Sequence, residues 1–305
     1  MIISAVISTY NRERYLPQVL ESLAKQTFAK SDFEIIIINN NSTDTTEAIS
    51  RGFIASHPEL NCRYIIETRQ GLSFGRNRGI SESTGKYITF IDDDAFLAHD
   101  YLQKVVDAFI EYPDIVAVGS KILLHYEDIV PAWENKYLNS LLGWFDPGDE
   151  AFDFTSKNYP RGSNMSFTSE VFEKVGLFNT DLGRVGRNLA GSEEKDIFQR
   201  IYAKNYKVKY IPDALVYHCV PFERTTTSFI RRQGIGTGQS EKRRVQAAGS
   251  IHFLKRIGSE LIKWMASFVL FFSYLIRGKF AKGWMIVRFR FWVSKGLLAK
   301  SRTSA

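Results

Sequence analysis

The sequence has few of the features that mark a secreted or disulfide-stabilised protein. Only two cysteines, Cys62 and Cys219, occur in 305 residues, which is too few for a disulfide framework. The first residues, MIISAVISTYN, contain neither the basic segment nor the cleavage site of a secretion signal. These absences predict a chain that works in a reducing, cytoplasmic setting.

Two further absences concern nucleotides and membranes. No Gly-x-Gly-x-x-Gly follows the first apolar segment, where STYNRER stands instead, so no dinucleotide-binding loop is expected there. The glycines of GIGTGQ, residues 234–239, follow a polar and basic segment rather than a strand, and we expect a flexible loop that a ligand orders. The uncharged run at residues 264–276 has 13 residues, whereas a membrane-spanning helix needs ~20. This run favours a peripheral membrane helix.

Charge is distributed unevenly along the chain. The net charge is +7, but residues 251–305 contain eleven Lys or Arg and one acid, so that they carry +10 and the rest of the chain −3. An anionic partner is therefore expected at the C-terminal segment, and we expect that partner to be a membrane surface and not a nucleic acid. Helices that pack on the remaining protein or form a dimer contact are the alternative for this segment.

Apolar and helical patterns alternate through the first 100 residues. The runs IISAVIST and FEIIIINNN are typical of strands that are buried on both faces. Between them, Leu16, Val19, Leu20 and Leu23 recur at helical spacing. A further helix from about residue 73 to 83 leads to the strand KYITFIDDD. The order βαβαβαβ predicts a mainly parallel, doubly wound α/β sheet.

Polar clusters stand where three of these strands end: STYNR at 8–12, NNNSTD at 39–44 and DDDA at 92–95. In such sheets ligands bind beyond the carboxyl ends of the strands. Asp92 and Asp94 are expected on one side of an extended segment and Asp93 on the other. Two carboxylates on one side need a cation, and oxygen ligands favour Mg²⁺ or Mn²⁺.

The motifs together resemble glycosyltransferase family 2, whose members have the GT-A fold and, in the type that this chain resembles, invert the sugar's anomeric configuration. The similarity covers roughly residues 3–240 and includes VISTYNRERYLPQVLESLAKQT, TRQGLSFGRNRGISESTGKYITFIDDDA, GSNMSF and GSEEKDIFQRI. It implies a catalytic GT-A domain at 1–240 and a basic, amphipathic helical tail at 241–305, through which the protein would attach peripherally to the inner face of the cell membrane.

The resemblance also implies roles for single residues. Asp94 would bind the metal, Mn²⁺ or Mg²⁺, together with Asp92, which lies near the ribose, and His218; a solvated or core histidine is the alternative for His218. The donor nucleotide sugar would be bound by Thr9, Asn39, Asn40, Arg69, Arg76, Asp92, Asp93, Gly162 and Glu193. Arg224, Arg231 and Arg232 would close over the diphosphate, or else form a solvated basic helix.

Two positions depart from the family pattern. Relatives commonly carry Asp at one or both of the positions of Asn39 and Asn40, and an Asn side chain both accepts and donates, so uracil, guanine and thymine all stay open as the base. Glu194 stands where the family has the Asp that acts as general base. An alternative for Glu193, Glu194 and Asp196 is that they only stabilise a helix N-terminus.

The implied reaction moves a sugar from a nucleotide diphosphate to an acceptor hydroxyl on a glycan or lipid-linked carrier, as in surface polysaccharide assembly. Glu194 would take the proton of that hydroxyl. Trp133 and Trp144 are candidates for stacking on the acceptor, or are core aromatics. The competing functions are a nucleotidyltransferase, against which STYNRER argues because it lacks a Gly-rich basic loop, and an inactive sugar-nucleotide-binding scaffold.

Overall fold

The computed structural model describes residues 1–185, 192–247 and 250–299. Gly191 of the GSEEKD motif and the tail residues Lys300 and Arg302 lie outside the described residues. The chain divides into two compact units, one formed by residues 1–123 and 144–219, the other by 124–143 and 220–305. The second unit thus begins before residue 241, where the sequence analysis placed the start of the tail.

The described strands are β1 (Ile3–Thr9), β2 (Phe33–Asn39), β3 (Cys62–Ile66), β4 (Tyr87–Asp92), β5 (Ala95–Leu97), β6 (Ile115–Gly119), β7 (Ile122–Tyr126), β8 (Phe152–Asp153), β9 (Met165–Thr168), β10 (Lys207–Tyr210) and β11 (Val216–Val220). The described helices are α1 (Leu16–Ala24), α2 (Thr46–Ser56), α3 (Leu72–Glu82), α4 (Tyr101–Glu111), α5 (Val171–Val175), α6 (Glu193–Ala203), α7 (Phe222–Thr225), α8 (Thr227–Ala247), α9 (Ser250–Ile276) and α10 (Phe280–Leu298). A short 3₁₀ helix spans Asn139–Leu142.

Eight strands of the first unit form one sheet in the order β3-β2-β1-β4-β9-β6-β10-β8. The first four are parallel, as the βαβ pattern predicted. β9 lies antiparallel between β4 and β6, β6 and β10 are parallel, and β8 is an antiparallel edge strand. A second sheet has the order β5-β11-β7. In the parallel register Thr9 is beside Asn39 and Ser8 beside Asp92, so three polar strand ends meet at one edge.

Both faces of the large sheet are covered, which explains the continuous apolar runs. Ile35 and Ile37 of β2 face a core that also contains residues of α1 and α4. Ile36 and Ile38 face a second core built with α5 and α6. Full burial of one such side chain contributes roughly 1.5–3 kcal/mol. The prediction of a doubly wound sheet is confirmed by these two cores.

The run from Asp114 to Tyr126, whose pattern predicts one strand, forms two. β6 ends at Gly119, and β7 begins at Ile122 in the other sheet. A Cβ on Gly119 would lie 2.5 Å from Pro160 Cβ, so the backbone passes too close to its neighbour for another residue. The break follows from tertiary packing that periodicity does not encode.

Helix α3 packs unusually close to β1, and this places its polar residues at the strand ends. A Cβ on Gly75 would lie 2.1 Å from Ser8 Oγ, and one on Gly79 would lie 2.2 Å from Val6 Cγ1. Only glycine fits at both positions, since real Cβ contacts are never so short. The close approach brings Arg76, which follows Gly75, to the polar edge of the sheet.

The glycines at 234–239 do not form a ligand-binding loop, and that prediction is wrong. They belong to α8, which packs directly on α10 in the second unit. A Cβ on Gly238 would lie 2.1 Å from Val293 O, and a Cβ on Gly296 would lie 2.1 Å from Ile235 O. Small residues permit two helix backbones to approach, and the glycines serve that contact. The core around it includes Trp133, which is buried.

The C-terminal helices were predicted, but their apolar part is longer than the 13-residue run suggested. Within the described residues one stretch, Arg256–Ile276, is long and apolar enough to cross a membrane by length and composition alone, with a mean hydropathy of 1.4. Only 11% of its most apolar window is buried in the protein. A surface position and a spanning position both fit this composition.

Candidate active site at the ends of the parallel strands

A polar pocket of about 160 Å³ opens at the carboxyl ends of β1, β2 and β4. It is lined by Ser8, Thr9, Tyr10, Arg12, Asn40, Gln70, Leu72, Arg76, Asp92, Asp93, Asp94, Arg184, Glu193 and Glu194. The structure thus brings together eight of the twelve residues that the sequence analysis assigned to the site. Asn39, Arg69, Gly162 and His218 do not line the pocket, although each lies next to a residue that does.

The three aspartates do not alternate as expected. Asp92 ends β4, whereas Asp93 and Asp94 form a turn before β5, and side chains alternate only in extended backbone. Arg12 contacts both turn residues, with Nε 3.4 Å from Asp93 Oδ1 and Nη2 3.5 Å from Asp94 Oδ2. Asp92 instead faces Arg76. The expected pairing of Asp92 with Asp94 on one side and Asp93 on the other is therefore wrong.

The Asp93 carboxyl is buried beside another carboxylate. Burial and the neighbouring Asp94 raise the pKa of the Asp93 carboxyl to about 7, while the charge of Arg12 acts in the opposite direction. The Tyr10 N–H also donates to Asp93 Oδ2 at 3.3 Å. A chain that crowds carboxylates in this way gains stability when positive charge binds beside them.

Asp94 and His218 form the pair best suited to a divalent cation. His218 lies in β11 opposite Ala95, and its Nε2 is 3.3 Å from Asp94 Oδ1. Its Nδ1 is buried and makes no hydrogen bond. Among the residues described, no group of three or more His, Cys, Asp or Glu side chains converges as a metal site. One carboxylate and one imidazole fit Mn²⁺ or Mg²⁺ only where further oxygens, such as those of a substrate diphosphate, complete the shell.

Arg76 connects the aspartate turn with the start of α6. Its side chain is 3% exposed, and Nη1 donates to Glu193 Oε1 at 3.1 Å. Nη2 lies 3.5 Å from Asp92 Oδ1 and 3.6 Å from Glu194 Oε1. The guanidinium also stands over the ring of Phe178. One buried cation is therefore shared by three carboxylates, and Glu193 Oε2 is left without a hydrogen bond.

The acidic residues of GSEEKD differ in what they contact. Asp196 pairs with Arg200 one turn along α6, whereas Glu193 and Glu194 point to the pocket. Burial raises the pKa of Glu194, and the charge of Arg76 partly offsets this rise. Gly162 is in place beside it, because a Cβ there would lie 1.9 Å from Glu194 Oε1 and 2.7 Å from Arg76 Nη2. A side chain at this position would displace the Glu194 carboxylate and the Arg76 guanidinium.

The two asparagines are engaged within the protein. Asn39 donates to the Tyr64 hydroxyl at 2.6 Å and accepts from the Ser42 N–H at 2.8 Å. Asn40 donates to Arg69 O and accepts from the Gly71 N–H, both at 2.7 Å. They fix the segments that border the pocket. The Arg69 side chain is 65% exposed and pairs with Glu67 through two hydrogen bonds.

Arg12 and Arg184 are pocket residues that the sequence analysis did not assign. Arg12 stands in the polar cluster 8–12, so its place at a strand end was a usable signal. Arg184 reaches the pocket because the Leu72 N–H donates to its carbonyl at 2.9 Å, and no sequence pattern indicates that contact. Arg12 lies beside Asp93 and Asp94, so this part of the pocket contains positive charge as well as carboxylates.

The remaining candidates lie elsewhere. Trp133 belongs to the core of the second unit, where its Nε1 donates to Thr225 O at 2.9 Å, so it is a core aromatic and is not available for stacking on an acceptor. Arg231 and Arg232 are exposed residues of α8 in the same unit, as the alternative of a solvated basic helix describes. The proposed closure of these residues and Arg224 over a diphosphate stays a prediction, as does a role for half-buried Trp144.

The relatives that match this chain in sequence include named glycosyltransferases. A glucosyl-dolichyl phosphate glucuronosyltransferase of Haloferax volcanii is 28% identical over 247 residues, which are 79% of this chain and 77% of that protein. Glycosyltransferase GlyA of Streptococcus pneumoniae is 26% identical over 70% of this chain, but the match spans only 30% of GlyA.

Solved structures match the fold over nearly the whole chain. The mannosyltransferase PcManGT of Pyrobaculum calidifontis, solved with GDP-Man and Mn²⁺, has a TM-score of 0.62 at 18% identity, covering 98% of this chain and 88% of its own. TarS 1–349 of Staphylococcus aureus with UDP-GlcNAc has a TM-score of 0.55 at 18% identity, with 94% and 91% covered. These likenesses confirm the predicted GT-A fold.

The model of the family described as "Glycosyl transferase family 2" matches residues 4–176. That span contains β1 to β4, the aspartate turn, Arg76 and Gly162, which together build most of the pocket. The chain belongs to glycosyltransferase family 2.

Proposed function

We propose that this glycosyltransferase moves a sugar from a nucleotide-diphosphate donor to a hydroxyl of a glycan or lipid-linked acceptor, with inversion at the anomeric carbon. The observation that carries the proposal is the single pocket in which Arg76 stands between Asp92 and Glu194. The donor site and the general base must be adjacent so that the acceptor hydroxyl can attack the sugar. Arg76 contacts both Asp92, which we place in the donor site, and Glu194, which we propose as the base.

In this mechanism Glu194 is the general base. It has to be ionised to take the proton of the attacking hydroxyl, and a carboxylate with a raised pKa is a stronger base than an ordinary one. Arg76 holds that carboxylate in the pocket, and Glu193 balances the arginine's charge. Asp94 and His218 would hold Mn²⁺ or Mg²⁺, and such a cation stabilises the charge that develops on a leaving diphosphate.

The names of the relatives and the composition of the tail support a proposal for the acceptor and the cellular location. The Haloferax relative is named for a glucosyl-dolichyl phosphate substrate and TarS for poly(ribitol-phosphate). The first name contains a lipid phosphate and the second a polyol-phosphate polymer. We assign this chain a carrier of the same class, lipid-linked or polymeric, and a place at the inner face of the cell membrane, to which the basic tail of the second unit would attach.

Metal dependence is tested by measuring release of the nucleotide from a labelled nucleotide sugar. We expect activity with Mn²⁺ or Mg²⁺, loss with chelator, and loss in Asp94→Asn. Asp107→Asn is the matched control, because Asp107 is an exposed carboxylate of α4. Full activity in chelator would refute the metal assignment, and donor binding without turnover with any acceptor would favour a sugar-nucleotide-binding scaffold.

The donor base is identified by thermal unfolding with UDP-, GDP- and dTDP-sugars in Mn²⁺. Because Asn39 and Asn40 use their amides internally, we expect selectivity to come from the segments that they fix. A selective rise in Tm with one base names the donor. Equal shifts with all three would contradict base recognition in this pocket.

A further inference from the structure

Helix α9 presents an apolar stripe to solvent along its whole C-terminal half. Leu261, Met265, Phe268, Val269, Phe272 and Ile276 recur at three- and four-residue spacing and are between 45% and 87% exposed. This spacing places them on one side of the helix. An exposed stripe of this length, about 22 Å at 1.5 Å per residue, marks an interaction surface.

The opposite side of α9 is anchored to the protein by polar contacts. Arg256 Nε donates to Glu241 Oε2 of α8 at 3.2 Å, and Arg290 of α10 donates to Glu260 Oε1 at 3.1 Å. The Trp264 indole N–H donates to Ser294 Oγ at 3.0 Å. These bonds leave the helix only one free side, so its outward face is set by the fold of the second unit.

Charge within and just beyond the stripe argues against a spanning position. Lys263, Arg277 and Lys279 are exposed, and Lys263 interrupts the 21-residue stretch Arg256–Ile276. The uncharged part from 264 to 276 has 13 residues and measures about 20 Å, against the ~30 Å of a hydrocarbon core. The neighbouring helix α10 carries Arg288 and Arg290 in its middle, so it cannot accompany α9 across a bilayer. A helix of this kind lies in the plane of the interface.

We propose that α9 lies flat in the surface of an anionic lipid bilayer, with this stripe among the acyl chains and Lys263, Arg277 and Lys279 at the lipid phosphates. Phe280 and Trp284, exposed and stacked at 6.1 Å at the start of α10, lie at the same end as Arg277 and add aromatic groups suited to the headgroup level. The proposal rests on the membrane attachment proposed above and specifies its surface, its orientation and its lipid.

Vesicle flotation of the full chain tests the surface and the lipid. We expect binding to vesicles of phosphatidylcholine with phosphatidylglycerol and at least tenfold weaker binding to phosphatidylcholine alone. Met265→Glu with Phe272→Glu should lower binding at least tenfold. Ile110→Glu is the matched control, since Ile110 is 67% exposed on α4 of the first unit, and it should bind as the parent does.

A second variant set keeps the test independent of folding. Lys263→Gln, Arg277→Gln and Lys279→Gln together should weaken binding to anionic vesicles by about 100-fold, at roughly fivefold for each charge, and leave binding to neutral vesicles unchanged. Equal binding of parent and triple variant, or no vesicle binding by the parent, would overturn the proposal. Nucleotide-sugar hydrolysis without vesicles is measured beside it, so that a failed membrane proposal and a failed transferase proposal give different results.

Orientation is tested with an environment-sensitive dye on single cysteines at 261, 268 and 276, in a background of Cys62→Ser and Cys219→Ala. A helix in the plane gives similar blue shifts at all three positions and quenching only from the outer side of the vesicle. A spanning helix would shift only the dye at 268, and the dyes at 261 and 276 would be quenched from opposite sides, which would overturn the proposal.

Discussion

Each unit of the chain buries an arginine against glutamates, and the two arrangements differ in how well the acids are satisfied. In the first unit, Arg76 serves Asp92, Glu193 and Glu194, and one oxygen of Glu193 makes no hydrogen bond. In the second unit, Glu260 receives Arg256, Arg290 and the Ser294 hydroxyl, and Arg256 also donates to Glu241. One cation is divided among three acids in the first case, and one acid collects three donors in the second.

The pKa directions follow from that difference. Burial raises the pKa of both carboxyls, but hydrogen bonds from Arg256 and Arg290 outweigh burial and lower the pKa of Glu260. For Glu194 burial wins, because Arg76 is its nearest cation and is shared. Poorly satisfied acids that face a pocket are typical of catalysis, and well satisfied acids between helices are typical of structure. The predictions below test this division.

The largest effect is expected for Glu194→Gln. An amide cannot take the acceptor's proton, so kcat should fall about 10²- to 10⁴-fold, with Tm unchanged or raised because a buried charge has been removed. Steady-state transfer assays and thermal unfolding give both quantities. Glu170→Gln, at an exposed surface pair, is the control. Normal kcat in Glu194→Gln would remove it as the base.

Glu260→Gln should lower the stability of the protein and leave kcat unchanged. The change removes the carboxylate that Arg256 and Arg290 share and leaves Arg256 with Glu241, and breaking a buried ion pair costs about 3–5 kcal/mol of unfolding free energy. Under conditions where the variant is folded, kcat should equal that of the parent. Denaturant titration measures the free energy, with Glu170→Gln expected within about 0.5 kcal/mol of the parent. A large fall in kcat with unchanged stability would contradict a structural role for Glu260.

Much of the fold could be predicted because its signals are local. The strands β1 and β2 are apolar at most buried positions, with Ser4 and Glu34 as a hydrogen-bonded exception. The run from Leu16 to Leu23 has a clear helical period, and the same residues are buried in α1. The break between β6 and β7 and the helix at 234–239 were missed. Both depend on glycines whose neighbours, Pro160 and α10, are distant in sequence.

The site was predictable as a set of positions, but not as a set of contacts. The strand ends placed Thr9, Asn40 and Asp92 in one pocket, because parallel strands finish at one edge. Asp93 and Asp94 form a turn, and side chains in a turn do not alternate between two faces as they do in a strand. The hydrogen bond from Asn39 to Tyr64 depends on pairing between neighbouring strands. Contacts of this kind depend on the three-dimensional fold and cannot be predicted from the spacing of residues in the sequence.

An intermediate effect is expected for Arg76→Met, which keeps the volume of the side chain and removes its charge. Glu194 then loses the cation that orients it, and kcat should fall about 10- to 100-fold, the equivalent of one charged hydrogen bond. Arg78→Met is the matched control on the same helix, since Arg78 pairs with Glu82 at the surface. Equal losses in both variants would point to a general effect on α3.

The smallest but most specific effect is a displaced pH profile. Glu194 is active when ionised, so kcat should decline as the pH falls through its pKa, and burial places that limb above the ordinary glutamate value of about 4.3. The charge of Arg76 lowers this pKa, so Arg76→Met should move the acid limb to higher pH, while Arg78→Met leaves it in place. A purely structural Arg76 would reduce kcat equally at every pH. If the acid limb keeps its pH in Arg76→Met, Arg76 does not act on the pKa of Glu194, and its role is in the packing of α3.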